Sequence, residues 1–300
     1  MNRLQTKFLE LIMKNPVVTA SGTYGFGLEY TKYYDPSLLG GICSKGITLH
    51  KKMGNSGIRI HETDSGLMNS IGLENPGMEA FLHGLLQEME KIDTVTIVNV
   101  GGNTLQEYIE AIEKLNDYDI PIIELNISCP NVKDGGMAFG IQAQSAGSIT
   151  NAIKKVSRHK IMVKLSPNAE NISDAAKACE DNGADALSLV NTFQGMVIDI
   201  DKRRPIFHHG YAGLSGPAIK PIALRMVHQV SKAVTIPIMG MGGIVSWQDA
   251  LEFIMAGATC VSIGTGNFIE PMSPMKVIEG LNAYCIGHNI DNISELIGVI

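Results

Sequence analysis

The chain has 300 residues, of which 45% are hydrophobic, and its formal net charge is −6. This length and apolar content suffice for one large core, and an α/β barrel reaches this size as a single unit, so we predict one domain over residues 1–300. The chain has no cluster of lysine and arginine side chains, which argues against a nucleic-acid partner because binding a phosphate backbone requires concentrated positive charge.

The N-terminal stretch MNRLQTKFLELIMKNP contains no apolar segment of signal-peptide length before charged residues resume. The uncharged stretch at residues 253–269 is shorter than the roughly 20 apolar residues that a membrane span requires. The five cysteines are scattered and form no CxxC pair, which fits a reducing compartment. We therefore expect a cytoplasmic protein that does not contact a membrane.

Short apolar runs alternate with amphipathic helical windows along nearly the whole chain, a pattern typical of parallel strands joined by crossover helices. The predicted strands are residues 17–21, 41–45, 95–100, 122–128, 161–166, 186–191, 236–240 and 260–264. Apolar residues at three- and four-residue intervals predict helices over residues 104–115, 146–157, 172–182, 221–233 and 247–256. Eight strands with intervening helices predict an α/β fold, a single (β/α)8 TIM barrel.

Three connections are too long to be simple turns, namely residues 48–74, 130–144 and 192–220. Each follows the C-terminal end of a predicted strand. In a barrel this is the face on which active sites are built, so we interpret the connections as insertions that form substrate walls or lids there.

The last two predicted strands end in glycine-rich turns, GMGGI at 240–244 and IGTG at 263–266. Either turn alone is explained by the need for a tight bend. Glycine also lets backbone amides approach an anion closely, and the loops after the seventh and eighth strands are the usual phosphate site of this fold. The pair of turns therefore predicts a phosphate-bearing ligand.

Polar residues occupy the C-terminal ends of six predicted strands. They are Ser21, Lys45, Asn99, Asn126, Lys164 and Asn191. Amides and lysines suit a planar ring rich in heteroatoms, on which they can stabilise negative charge. They suit glycosidic or phosphoryl hydrolysis poorly, because those reactions use paired carboxylates or a carboxylate-bound metal. The histidines show no HxH or HExxH spacing, and we expect no metal site.

Lys164 leaves a second interpretation open, because a lysine at a barrel strand end can also form a Schiff base, as in some aldolases. The chemistry of the neighbouring residues does not exclude it.

Cys129 follows the polar end of the fourth predicted strand, precedes Pro130 and heads a loop that contains Gly135 and Gly136. A thiol in this position is a candidate nucleophile or general base, with an activity set by its pKa. We interpret the other four cysteines as small buried apolar residues; they are Cys43, Cys179, Cys260 and Cys285.

From about residue 17 to residue 268 the chain resembles the class 1 dihydroorotate dehydrogenases, which are FMN-containing barrels. The resemblance rests on ELNISCPN at 124–131, SKGIT at 44–48, NSIGLEN at 69–75, GGMAFG at 135–140 and LSGPAIKPIALRMV at 214–227. The last two motifs resemble the NAD-linked subclass, class 1B, rather than the fumarate-using class 1A. The membrane-associated class 2 is disfavoured because no N-terminal extension is present.

The resemblance implies a role for each matching residue. Residues implied in FMN binding are Ser21, Lys45, Gly46, Asn99, Asn126, Lys164, Val190, Gly216, Gly242, Gly243, Gly264 and Thr265. Residues implied in binding the pyrimidine and its carboxylate are Lys45, Asn69, Ser70, Ile71, Gly72, Leu73, Asn126, Asn191 and Thr192. Cys129 is implied as the base that removes a proton from C5 of dihydroorotate, while a hydride passes from C6 to FMN.

The resemblance to class 1B also implies a partner. Electrons would leave through a second subunit that carries FAD and a 2Fe-2S cluster and would reach NAD⁺, in a heterotetramer built on a homodimer of this chain. The chain has neither a cluster motif nor a GxGxxG dinucleotide fingerprint of its own. The alternatives are another FMN barrel oxidoreductase of dihydropyrimidine or dihydrouridine type, the Schiff-base aldolase that uses Lys164, and a non-catalytic FMN carrier.

Overall fold

A computed structural model describes residues 2–127 and 140–300. Eight parallel strands form a closed barrel in which each strand pairs with the next along the chain and the eighth pairs with the first. The strands are Val17–Thr19, Gly41–Cys43, Val95–Val100, Ile122–Asn126, Lys160–Lys164, Ala186–Leu189, Ile238–Met241 and Cys260–Ile263. The predicted (β/α)8 barrel is confirmed, and every predicted strand overlaps an observed one.

The five predicted helices are also confirmed. They are Leu105–Leu115, Ala143–Val156, Ile172–Asp181, Lys220–Ser231 and Trp247–Met255. Three of them begin at residues that accept hydrogen bonds from the first turn, namely Thr104, Asn171 and Ser246. Ser246 forms a reciprocal capping box with Asp249, which fixes the start of the helix after the seventh strand.

Two longer helical segments were not predicted from the periodicity of apolar residues. One follows the second barrel strand and consists of Met78–Ala80, the π-helical turn Phe81–Leu85, and Leu86–Glu90. The other is the C-terminal helix Ser273–Gly287. Between the first and second strands the chain forms only the 3₁₀ turns Leu28–Tyr30 and Pro36–Leu38, and further short helical turns are Pro217–Ile219, Gly266–Ile269 and Ile293–Leu296.

An N-terminal hairpin closes the bottom of the barrel. Its strands, Thr6–Phe8 and Leu11–Met13, pair antiparallel. Phe8 and Met13 are fully buried against apolar side chains inside the barrel. A separate, larger apolar core lies between the barrel strands and the helices. Because the bottom is filled with apolar side chains, only the C-terminal end of the barrel can hold a polar site.

Two of the long connections combine into one structure over that end. Gly66–Asn69 pairs with Ile60–Thr63 and with Ala212–Ser215, which in turn pairs with Phe193–Gly195. This four-stranded antiparallel sheet joins residues 48–74 to residues 192–220, and a small hairpin, Ile198–Asp199 with Arg204–Pro205, extends from it. Most of the third connection, residues 130–144, lies outside the described residues.

Within the described ranges, no helix is both long enough and apolar enough to cross a membrane.

Candidate active site

Five polar side chains meet inside the barrel, just above its apolar half. Asn99 donates its amide to Glu124 Oε1 at 2.6 Å, and Ser188 donates its hydroxyl to Glu124 Oε2 at 2.8 Å. Lys164 Nζ lies 3.4 Å from Glu124 Oε1 and 3.4 Å from Ser21 Oγ. The structure thus brings the predicted residues Ser21, Asn99 and Lys164 together around a carboxylate.

Glu124 is not among the site residues predicted from the sequence. Its side chain is 1% exposed and that of Lys164 is 6% exposed, so this is a buried ion pair. Burying one such charge alone is very costly, and the pair is tolerated because hydrogen bonds satisfy the carboxylate on both oxygens. The signal that could have found Glu124 is strand alternation, which places it on the same strand face as Asn126.

Asn99 offers a hydrogen-bond acceptor to the space above it. The Oδ1 atom of Asn99 is buried and has no hydrogen-bond partner among the described residues. It lies beside Gly46, where an added Cβ would come within 2.8 Å of it. A side chain at residue 46 would press against this acceptor, so the position requires glycine.

Asn126 and Asn191, at the ends of the fourth and sixth strands, contact each other. Asn191 Nδ2 donates to Asn126 Oδ1 at 3.2 Å, and Tyr108 donates its hydroxyl to the carbonyl of Asn126. The Asn191 side chain also accepts from Thr192 N at 2.8 Å. Predicted residues from two different strands are therefore held together in one amide cluster. Val190 precedes Asn191 in the chain and donates its backbone amide to the carbonyl of Met241 on the seventh strand.

The glycine turns meet at one place. Gly216, Gly242 and Gly243 all have positive φ angles, of 92°, 126° and 79°. A Cβ added at Gly243 would lie 2.9 Å from the carbonyl oxygen of Gly216, and one at Gly216 would lie 3.4 Å from Thr265 Cγ2. Thr265 donates its hydroxyl to Ser215 at 2.8 Å, and Gly264 precedes it at the end of the eighth strand. The three turns form a cradle of backbone groups, as phosphate binding requires.

The turn at residues 69–73 is held to a neighbouring loop. Asn69 ends a strand of the antiparallel sheet, and Asn55 binds both Ser70, through its side-chain amide, and the carbonyl of Ile71, through its backbone amide. Gly72 and Leu73 have positive φ angles of 75° and 53°, so the turn depends on the glycine and holds one non-glycine residue in the left-handed region. Leu73 reaches Gly46 and Gly101 at the ends of the second and third barrel strands.

Lys45 lines a cavity of about 320 Å³ beside this turn. Its lining also includes Lys51, Lys52, Glu74 and Asn75. Lys52 donates to Asn103 Oδ1 at 2.7 Å, which holds its ammonium at the wall. A cavity with three lysines favours an anionic ligand such as a carboxylate.

The candidate base Cys129 and its loop, residues 128–139, lie outside the described residues. The other four cysteines are buried and free, as predicted. Burial first, and the adjacent charge of Glu124 second, raise the pKa of the Cys43 thiol well above its ordinary value of 9.0. Over residues 2–127 and 140–300 no group of three or more histidine, cysteine, aspartate or glutamate side chains could hold a metal ion.

Comparison with known proteins gives the same family over nearly the full length. The dihydroorotate dehydrogenase family model matches residues 3–285. The chain is 54% identical to the dihydroorotate dehydrogenase B (NAD⁺) catalytic subunit of Petrotoga mobilis over 287 residues, which cover 96% of each chain. It is 51% identical to the subunit of that name from Thermoanaerobacter pseudethanolicus, over 98% of each chain, and 53% identical to that from Brachyspira hyodysenteriae, over 99% of each chain. The chain therefore belongs to the dihydroorotate dehydrogenase family.

Proposed function

We propose that the chain is the FMN-containing catalytic subunit of a class 1B, NAD-linked dihydroorotate dehydrogenase. It oxidises (S)-dihydroorotate to orotate in the de novo synthesis of UMP, in the cytoplasm, and residues 1–300 form its single catalytic domain. The observation that carries this proposal is the joint placement of two sites in a chain of this family. One is the buried set of Asn99, Glu124 and Lys164, and the other is the glycine cradle at the same end of the barrel.

The residues present fit FMN on two grounds. Asn99 Oδ1 is a buried acceptor with no described partner, as expected of an atom that binds a ring N–H. The turns at Gly216, Gly243 and Thr265 lie in contact, so their backbone groups can surround one phosphate. The ring would be held by Ser21, Lys45, Gly46, Asn99, Asn126, Lys164 and Val190, and the phosphate by Gly216, Gly242, Gly243, Gly264 and Thr265.

The substrate would lie between the amide cluster and the turn at residues 69–73. Asn126, Asn191 and Thr192 supply amide and hydroxyl groups that match the ring amides of a dihydropyrimidine. Lys45 supplies a positive charge for its carboxylate. The remaining contacts would come from Asn69, Ser70, Ile71, Gly72 and Leu73.

The reaction needs one proton and one hydride to leave the substrate. Cys129 takes the proton from C5. Bound FMN supplies the hydride acceptor for C6. Loss of both leaves the C5–C6 double bond of orotate. The binding residues orient the ring so that these two hydrogens can leave in opposite directions.

The Schiff-base alternative is disfavoured by the surroundings of Lys164. A Schiff-base lysine reacts as the neutral amine. Here the Nζ atom lies 3.4 Å from a buried carboxylate, that of Glu124, which is itself held by Asn99 and Ser188. Such a partner suits an ammonium group that supplies a fixed positive charge.

An anaerobic titration tests the activity. The purified chain should carry FMN, and dihydroorotate should bleach the visible absorbance of the flavin with a stoichiometry of one substrate per flavin. Dihydrouracil, which lacks the carboxylate, should not. A chain without flavin, or a flavin reduced equally well by dihydrouracil, would overturn the proposal.

A variant tests the base. Cys129→Ser should keep FMN bound and slow flavin reduction by about 10²-fold or more near neutral pH, and less at alkaline pH. Cys179→Ser, the same substitution in the outer core, is the control and should leave the rate unchanged. Equal rates for the Cys129 variant and the control would remove the thiol from the mechanism.

The relatives are named as catalytic subunits, and we propose that this chain likewise works with a partner, which carries FAD and a 2Fe-2S cluster. A homodimer of this chain would form the centre of the heterotetramer. The isolated chain should reduce an artificial dye far faster than NAD⁺. Rapid NAD⁺ reduction by the chain alone would contradict the proposal that a partner subunit transfers the electrons to NAD⁺.

A further inference from the structure

Glu124 has a position that neither substrate binding nor proton removal uses. It lies inside the barrel, 1% exposed, and it contacts side chains from four other strands. The contacts are Cys43 on the second strand, Asn99 on the third, Lys164 on the fifth and Ser188 on the sixth. Two of these neighbours, Asn99 and Lys164, are residues proposed to hold FMN.

The first consequence concerns the orientation of the Asn99 side chain. A carboxylate accepts hydrogen bonds and cannot donate them, so the amide nitrogen of Asn99 must face Glu124 Oε1, 2.6 Å away. Rotating the amide by 180° would bring two oxygens into contact. Glu124 therefore fixes Asn99 Oδ1, the acceptor beside Gly46, as the atom that faces the site.

The second consequence concerns charge. The Lys164 side chain is buried, so water screens its charge weakly. The carboxylate of Glu124 is the acidic group within ion-pair distance of Lys164 among the described residues. The negative charge of Glu124 offsets part of the field that Lys164 exerts on a ring bound above it.

We propose that Glu124 is a positioning residue of the flavin site, which orients the Asn99 amide and sets how much positive charge Lys164 presents to the ring. The inference rests on the proposed function, since it requires FMN at this site. One carboxylate would then control two properties of the polar layer formed by Asn99, Glu124, Lys164 and Ser188. These are the orientation of the Asn99 amide and the positive charge of Lys164 that acts on the ring.

Glu124→Gln separates this role from simple packing, because glutamine has nearly the same shape and no charge. Without the negative charge, the field of Lys164 is less compensated and favours the reduced flavin. In a reductive titration of the FMN-loaded chain against a reference dye, the ratio of reduced to oxidised flavin at the midpoint of the parent protein should rise about tenfold, or about 30 mV for two electrons. The dissociation constant for FMN should also increase, because glutamine can donate or accept and no longer fixes the Asn99 amide.

Two further variants serve as controls. Ser188→Ala removes a neighbour of Glu124 without changing the charge, so the flavin potential should stay at the parent value. Glu124→Asp keeps the charge and should restore most of the potential. A Glu124→Gln protein with the parent's potential and FMN affinity would show that Glu124 only supports the barrel, and would overturn the inference.

A second comparison keeps the test decisive if Glu124→Gln does not fold. Lys164→Gln and the double variant Glu124→Gln, Lys164→Gln differ only in the charge at residue 124, and the double variant buries no unpaired charge. The flavin potential should be more negative in Lys164→Gln than in the double variant. Equal potentials would overturn the inference. A parent chain that binds no FMN, or whose flavin is not reduced by dihydroorotate, would instead refute the proposed function.

Discussion

The lower and upper halves of the barrel interior are built from the same strands and have opposite chemistry. In the lower half, inward-facing side chains are apolar and pack against Phe8 and Met13 of the hairpin. Two residues further along four neighbouring strands, the inward-facing side chains are polar. The pairs are Ile97 and Asn99, Ile122 and Glu124, Met162 and Lys164, and Ala186 and Ser188.

The two halves are stabilised in different ways. Each apolar side chain below contributes by leaving water, largely independently of which apolar neighbour it meets. Each polar side chain above is tolerated only while its partners are present, because an unpaired buried charge costs several kcal/mol. The lower half should therefore respond to substitution in proportion to lost volume, and the upper half as one cooperative set.

The largest effect is expected from breaking the polar set at its centre. Glu124→Leu leaves Lys164 buried without a carboxylate and Asn99 without its acceptor. The free energy of unfolding should fall by about 3–5 kcal/mol in chemical denaturation. Ser188→Ala, which removes one hydrogen bond to the same carboxylate, should cost about 1 kcal/mol. Equal losses for the two variants would show that the upper half does not act as a set.

Ile122 lies two residues before Glu124 on the same strand, and substituting it tests how the apolar half differs from the polar half. Ile122→Ala removes a fully buried side chain from the apolar half and should cost about 3 kcal/mol, while Ile122→Val should cost about 1 kcal/mol. Both variants should bind FMN with the parent's affinity and flavin potential, since the polar residues keep their partners. A shifted potential in either variant would mean that the two halves are coupled.

The sequence predicted the two halves unequally well. Local periodicity was enough to predict all eight strands and five helices, because each segment has its own repeating pattern of core-facing residues. It missed the antiparallel sheet, whose pairing of Asn69 with Gly213 joins two connections far apart in the chain. Strand ends indicated Asn99, Asn126 and Lys164 as site residues. Strand alternation places Glu124 on the face of Asn126, but it does not reveal the partners of Glu124, which lie 25 residues before it and 64 residues after it.

The carboxylate of Glu180 lies at the lower rim, outside the barrel interior, and contrasts with the buried carboxylate of Glu124. Glu180 accepts hydrogen bonds from the amide and hydroxyl of Thr235, just before the seventh strand, and pairs with Lys177. Partial burial acts to raise the pKa of Glu180, but the hydrogen bonds from Thr235 and Lys177 outweigh it and lower the pKa to about 2.

This shift predicts an acid-dependent loss of stability. Because the folded pKa lies below the ordinary value of 4.5, the contribution of Glu180 is fully present above about pH 4.5 and is lost as the pH falls towards 2. Glu180→Gln should lower the free energy of unfolding by about 1 kcal/mol at pH 7, since water partly screens this charge. The difference from the parent should vanish near pH 2. Glu113→Gln, at an exposed helix position, should show no such pH dependence.

The cysteine thiols give the smallest expected effect on stability. They also give the clearest test of the contrast between buried side chains and a side chain that takes part in the reaction. Burial raises the pKa of Cys43, Cys179, Cys260 and Cys285, that of Cys179 to about 11. Iodoacetamide at pH 8 should therefore leave these four unmodified in the folded protein, although all five cysteines should react in guanidinium.

If Cys129 is the base of a site that substrate can enter, it should be the residue that reacts under native conditions, and orotate should protect it. Peptide mass spectrometry distinguishes the five positions, and Cys129→Ala should abolish native labelling. Modification of Cys43 in the folded chain would mean that reagent reaches the polar layer beside Glu124. That result would contradict the separation of a closed barrel interior from an open site above it, because Cys43 Sγ lies 3.4 Å from Glu124 Oε1.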